Sequence, residues 1–211
     1  MFATLQLFRV YDSDLFSRSI EGGQTDVEDS HIVLNYAWNE NDEGGLTLTS
    51  FGSDVDLYGV ASEIIAVVAP TGNIIQTEGS IGQEFTVKEI IKGDASLSVG
   101  NTAYVYQYFG FQEVDGHIEF MNTLNLMNPE NDYLIFMDSS PLNAYQNEPA
   151  FILKSEFFGY IKTDHTDTLT LEGNYRDYNF SDLANYEFFS TSESVTKTLN
   201  YIRSELLKKF K

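Results

Sequence analysis

The sequence predicts a mainly β protein, a β-rich α+β chain with a barrel-like core and one helix at its C-terminal end, and three observations carry that prediction. Short apolar or alternating runs recur through the middle of the chain, at Ile64 to Val68, Phe85 to Ile91, Thr102 to Tyr108 and Tyr133 to Met137, each beside turn-forming residues. Near the C-terminus the pattern changes to a helical one, with Val195, Leu199, Ile202 and Leu206 at spacings of four, three and four. Finally, 211 residues with 42% hydrophobic content, 16 Phe and 13 Tyr supply enough apolar surface for one barrel with additions, in spite of a net charge of −20.

The elements follow in chain order. Phe2 to Tyr11 interleaves Leu5, Leu7 and Val10 with polar residues and reads as a strand or a short amphipathic segment. Glu21 to Ser30 is a polar loop with paired glycines. His31 to Trp38 and Leu46 to Thr49, separated by the acidic turn Asn39 to Gly45, form a candidate hairpin. Ser53 with Asp56 resembles a capping box, so a short helix is expected over Val55, Leu57, Tyr58 and Ala61. Ile64 to Val68 is a buried strand closed by a turn at Pro70-Thr71-Gly72-Asn73. Gly79-Ser80-Ile81-Gly82 reads as a further turn.

Phe85 to Ile91 alternates and ends on Lys92-Gly93-Asp94, with the doubled isoleucine marking a phase change or a bulge. Thr102 to Tyr108 is rich in β-formers, and period two places Tyr104, Tyr106 and Tyr108 on one face. Asp115-Gly116 between Val114 and Ile118 is a hairpin turn. Asn128-Pro129 breaks the chain before Tyr133 to Met137, and Pro141 and Pro149 bracket a loop before strand candidates at Phe151 to Ile161 and Thr168 to Leu171. Ser190 with Glu193 forms a capping box for a helix at about 191–210, whose apolar stripe is expected to pack on the barrel. The resulting division is an N-terminal β extension at 1–54, a barrel core at 55–175 and a C-terminal segment at 176–211.

The charge is uneven. Residues 1–150 hold 23 acids and 4 bases, residues 151–211 hold 9 acids and 8 bases. Such a surface repels phosphate backbones and anionic lipid, and the basic stripe of a nucleic-acid binder is missing, so no nucleic-acid binding is expected. No run approaches a membrane span, so no membrane insertion is expected either. Met1 to Tyr11 lacks the charged start and long apolar run of a signal peptide. With no cysteine, disulfides and thiolate zinc sites are excluded.

Candidate chemistry is sparse. Asn39 to Gly44 echoes a calcium loop, but Ser50 stands where the bidentate carboxylate belongs. Asp26, Glu28 and Asp29, or Asp164, His165 and Asp167, gather oxygens that read more simply as solvated loops. His31, His117 and His165 lack metal-ligand spacing, and neither a nucleophile elbow nor a phosphate-cradling glycine loop is present. We therefore expect no metal, no cofactor and no catalytic residue. The one feature with a binding character is the aromatic face of Tyr104, Tyr106 and Tyr108, continued by Phe109 and Phe111, since flat rings stack on ligands. Tyr106, Tyr108 and Phe111 are the candidate ligand-binding residues, and core packing is the competing reading of each.

The order of Ile64 to Val68, Phe85 to Ile91 with Lys92-Gly93-Asp94, Val99-Gly100 before Tyr104-Val105-Tyr106, and Tyr133-Leu134-Ile135-Phe136 resembles the small β-barrel domains of Gram-positive surface and lipid-anchored proteins. Those in turn are similar to the netrin-like, metalloproteinase-inhibitor type of OB-fold barrel. The resemblance spans roughly residues 60 to 140 and rests on structural motifs. It implies an OB-like five-stranded barrel on a secreted or cell-surface protein, with a cytoplasmic location as the alternative. The N-terminal cysteine of netrin-like inhibitors is missing, so their inhibitory activity is not implied. The functional expectation is a non-enzymatic binding or interaction module for a protein or small ligand. The alternatives are an intracellular acidic protein that occupies a basic partner, acting as a charge mimic, and a hydrolase using paired carboxylates.

Overall fold

The computed structural model describes residues 31–32, 62–76, 80–93, 97–108, 110–114, 117–120, 122, 124–140, 149–155, 159–174 and 177–210. In chain order these form β1 (His31–Ile32), β2 (Ile64–Gln76), β3 (Ser80–Lys92), β4 (Thr102–Tyr108), β5 (Phe111–Val114), β6 (His117–Phe120), β7 (Tyr133–Ser139), β8 (Ala150–Leu153), β9 (Tyr160–Lys162), β10 (Thr168–Thr170), a 3₁₀ turn (Phe180–Leu183), β11 (Phe188–Ser190) and α1 (Glu193–Phe210). The expected N-terminal strands beyond β1, the short helix at 55–61, the Asn39 turn and the loop at 141–148 lie outside the described residues.

Five strands close into a barrel. β2, β3 and β4 make an antiparallel meander, β4 runs parallel to β8, β8 is antiparallel to β7, and β7 returns to β2 through a register from Ile64–Met137 to Val68–Tyr133. Closure removes the sheet edges that would otherwise invite a stray strand. β9 continues β8 along the same edge of β7: Lys154 N donates to Phe136 O at 2.9 Å, and Phe136 N donates to Gly159 O at 2.8 Å. A Cβ at Gly159 would stand 2.5 Å from Ser155 O, so this interruption of the strand requires glycine.

Period-two alternation sorts the side chains. Ile64, Ala66, Val68, Phe85, Val87, Ala103, Val105, Tyr133, Ile135, Met137, Phe151 and Leu153 fill the interior. Their neighbours Ile65, Leu134, Phe136 and Ile161 point outward and are covered by α1 through Val195, Leu199, Ile202 and Leu206. The stripe read from the sequence is therefore the docking face of the helix. Fully burying each such side chain contributes about 1.5–3 kcal/mol, which anchors a helix that would be marginal alone. A second core lies beyond the barrel, where Ile74, Ile81, Phe111, Phe120, Leu126, Phe180, Leu183 and Phe189 meet.

Several local expectations are corrected. Pro70-Thr71-Gly72-Asn73 does not turn the chain; β2 runs on to Gln76, and the ladder steps from Pro70–Phe85 to Ile74–Gln83, so three residues bulge opposite Glu84. Gly72 takes φ 87° there, a conformation that glycine adopts without strain. Ser80 to Gly82, read as part of a turn, begins β3 instead, because the strand needs a small residue beside Tyr106. The helix starts at Glu193, so Ser192 rather than Ser190 is its N-cap, and Thr196 N donates to Ser192 O at 3.1 Å. Glu193 then sits in the first turn and pairs with Lys197 four residues on, at 2.7 Å, instead of closing a capping box.

Candidate functional site

The candidate site grows from the alternation of β4. Ala103 and Val105 face the barrel interior, so Tyr104 and Tyr106 project to the outside with Ala150 of β8 beside them. Tyr108 continues the row and is 51% exposed, whereas Tyr106 is 4% exposed. The rings of Tyr104 and Tyr106 lie 6.4 Å apart at 35°. Beneath Tyr106 is Gly82 of β3, its register partner, where a Cβ would come within 2.6 Å of Tyr106 Cε1. The ring lies across bare backbone. That contact is why β3 carries glycine in mid-strand, a signal that reads in isolation as a turn.

Glu84, two residues along β3, is Tyr104's register partner and forms the polar end of the face. Its Oε2 accepts from Thr71 Oγ1 at 2.6 Å and from Asn73 Nδ2 at 2.7 Å, and its Oε1 accepts from Tyr104 Oη at 3.4 Å. The bulge of β2 thus has a purpose that its turn-like sequence hides: the two polar residues flanking Gly72 hold one carboxylate beside the tyrosines. Three neutral donors fix its position.

Phe111 stands apart from this row. It is fully buried in the second core, its ring 4.9 Å from Phe120 and 5.2 Å from Phe180, the latter edge-on. The structure therefore sets Tyr106 and Tyr108 in one outward-turned row, Tyr106 buried within it and Tyr108 half-exposed at its end, and places Phe111 in the second core. Phe109 lies outside the described residues.

The other singled-out groups are engaged among themselves. His165 Nδ1 lies 2.8 Å from Asp164 Oδ1 and Nε2 lies 2.8 Å from Asp167 Oδ2, while Lys162 Nζ is also 2.8 Å from Asp167 Oδ2. For Asp164, burial acts to raise the carboxyl, but hydrogen bonds from its own backbone and from His165, with the imidazole charge, hold it below the usual carboxylate range. Among the described residues no group of three or more His, Cys, Asp or Glu is placed to hold a metal ion. The clusters at Asp26 to Asp29 and Asn39 to Gly44 lie outside the described residues. No described helix is long and apolar enough to cross a membrane.

A buried charged pair escaped the sequence reading altogether. Arg203 of α1 meets Glu187, and both side chains are fully buried. Glu187 also accepts from the backbone amides of Lys162 and Asp167, and Arg203 Nη2 donates to Tyr160 O at 3.0 Å. The signal was present in the spacing, since Arg203 lies four residues after Leu199 and three before Leu206, on the apolar face. Glu187 gave none, because its burial depends on tertiary contacts alone.

No protein-family model, no curated protein and no solved structure matches the chain.

Proposed function

We propose that the chain is a non-enzymatic binding or interaction module that seats its ligand on the outer face of β3 and β4. The observation that carries this reading is the row Tyr104, Tyr106 and Tyr108, turned away from the barrel interior and ending in a half-exposed ring. The remaining surfaces are less suited. Among the described residues each of the five strands that close the barrel is paired on both sides over its central part, which disfavours peptide addition there, and α1 covers the apolar outer positions of β2 and β7.

The strand order supports an OB-type reading of the barrel, since a three-strand meander followed by a parallel β4–β8 pairing is the connectivity such barrels use. OB barrels commonly bind through their second and third strands, and by analogy the corresponding strands here are β3 and β4. Kinship with netrin-like domains of Gram-positive surface proteins, and with it an extracytoplasmic location, belongs to the same proposal. Its support is the motif order along residues 60 to 140. A charge mimic occupying a basic partner is the second reading, favoured by the 23 acids against 4 bases of residues 1–150.

The test is a binding screen against immobilised glycans, peptides and nucleic acids, run in parallel with the wild-type chain and Tyr104→Ala/Tyr108→Ala. Ligands held through this face disappear from the variant's profile while its melting curve stays close to wild type. A profile unchanged by the double substitution would remove the face from consideration.

A further inference from the structure

Resting on that reading of the β3–β4 face, we infer that its ligand is a basic segment, lysine or arginine side chains presented by a protein partner. Two features of the face select positive charge. The first is Glu84, whose carboxylate is held by Thr71, Asn73 and Tyr104, all neutral donors, and which makes no ion pair among the described residues. The nearest base along the same face of β3 is Lys88, and it is taken by Asp132 at 2.6 Å. Among the described residues the face therefore presents a fixed negative charge with no base paired to it. Because its donors already hold it in one geometry, an incoming cation meets a preorganised acceptor and little further ordering is required.

The second feature is the aromatic row itself. Tyrosine ring faces are electron-rich and attract ammonium and guanidinium groups. Tyr108, at 51% exposure, offers such a face at one end of the row, four residues along β4 from Tyr104 and Glu84 at the other, so successive basic side chains of one partner segment would meet the ring and the carboxylate. The whole-chain charge of −20 works in the same direction, drawing in basic segments and repelling polyanions. A neutral sugar would stack on the rings and donate hydroxyls to Glu84, but it would bring no charge to pair with the carboxylate.

The experiment measures fluorescence anisotropy of a labelled lysine–glycine repeat peptide and, separately, of a labelled neutral cello-oligosaccharide, each titrated with the full chain. Four variants are compared: Tyr108→Ala, Tyr108→Leu, Glu84→Gln and Glu130→Gln. Tyr108→Leu keeps apolar bulk without a ring face, and Glu130→Gln removes one charge from the exposed turn before β7. The expected result is that both Tyr108 variants and Glu84→Gln weaken the peptide by about three- to ten-fold, while Glu130→Gln leaves it within about two-fold. Melting curves taken on the same samples separate loss of binding from loss of fold. Equal weakening by Glu84→Gln and Glu130→Gln would mean diffuse attraction to an acidic protein and would overturn the inference. Oligosaccharide binding that depends on Tyr108, without a matching effect on the peptide, would overturn the cationic ligand and leave the binding face standing. If neither probe responds to the Tyr108 variants, the face and its ligand both fall.

Discussion

Arg203 Nη2 of the C-terminal helix ends 2.7 Å from Glu187 Oε1 with neither side chain reaching solvent. The pair ties α1 to the barrel, because Glu187 also gathers the amides of Lys162 and Asp167 and Arg203 reaches Tyr160 O. Removing the guanidinium would strand a charge in the interior, which costs far more than the intact pair contributes. Arg203→Leu is therefore expected to lower unfolding free energy by about 3–5 kcal/mol in urea titrations, and Arg203→Leu/Glu187→Leu to lower it by clearly less. Equal losses in the single and double variants would show that the charge itself is not what matters.

Phe111 and Tyr108 stand three residues apart and differ in what surrounds them, one fully buried among Phe120 and Phe180, the other 51% exposed. Phe111→Ala opens a cavity in the second core and is expected to cost about 3–5 kcal/mol. Tyr108→Ala removes a largely solvated ring and should stay within about 0.5 kcal/mol of wild type. Thermal melts of the two variants check this directly. Similar falls for both would place Tyr108 in the packing and take it off the candidate face.

Much of the barrel was legible because its code is local. Ile64 to Val68 and Tyr133 to Met137 are continuous apolar runs, and in the structure they pair with each other, alternately filling the barrel and receiving α1. Val195 to Leu206 declared its face through spacing alone. What stayed hidden depended on partners distant in sequence. Thr71 and Asn73 read as turn residues until Glu84 lies opposite them, and Gly82 reads as a breaker until Tyr106 lies across it. The site suffered most from this, since Tyr106 and Tyr108 were found by period two, while Glu84 carries no mark that separates it from the other acids. Phe111, chosen with them by continuity of aromatics, belongs after Gly110, whose φ of 109° redirects the chain away from the β4 row.

Gly82 offers a direct probe of the tyrosine face. A methyl group there would come within 2.6 Å of the Tyr106 ring, so the ring must shift from its seat. Gly82→Ala is expected to cost about 1–3 kcal/mol through overpacking. The test lies in the pairing: Gly82→Ala/Tyr106→Ala should lose less than the sum of the two single variants, because removing the ring removes the clash. Strict additivity in chemical denaturation would deny the contact.

Tyr133 and Tyr160 are expected to set the alkaline limit of the fold. Burial is the largest influence on each and raises both phenols well above the ordinary value of 10.0; a hydrogen bond from Asn128 to Tyr133, at 2.8 Å, and the Gln83 side chain near Tyr160 oppose it without prevailing. The two rings meet edge to centre at 5.6 Å inside the barrel, so ionising either puts a charge into the interior. In the unfolded chain both would titrate near 10.0, so the folded state binds protons that the unfolded state releases. The resulting stability is complete below pH 10.0 and is lost as pH rises from there toward the folded values. Absorbance titration of tyrosinate should accordingly show these two phenols silent while the fold persists and ionising together with the loss of β-sheet circular dichroism. Tyr160→Phe should extend the stable range to higher pH, since it deletes one titrating group while keeping the ring. A variant that unfolds at the same alkaline midpoint as wild type would assign the limit to groups elsewhere.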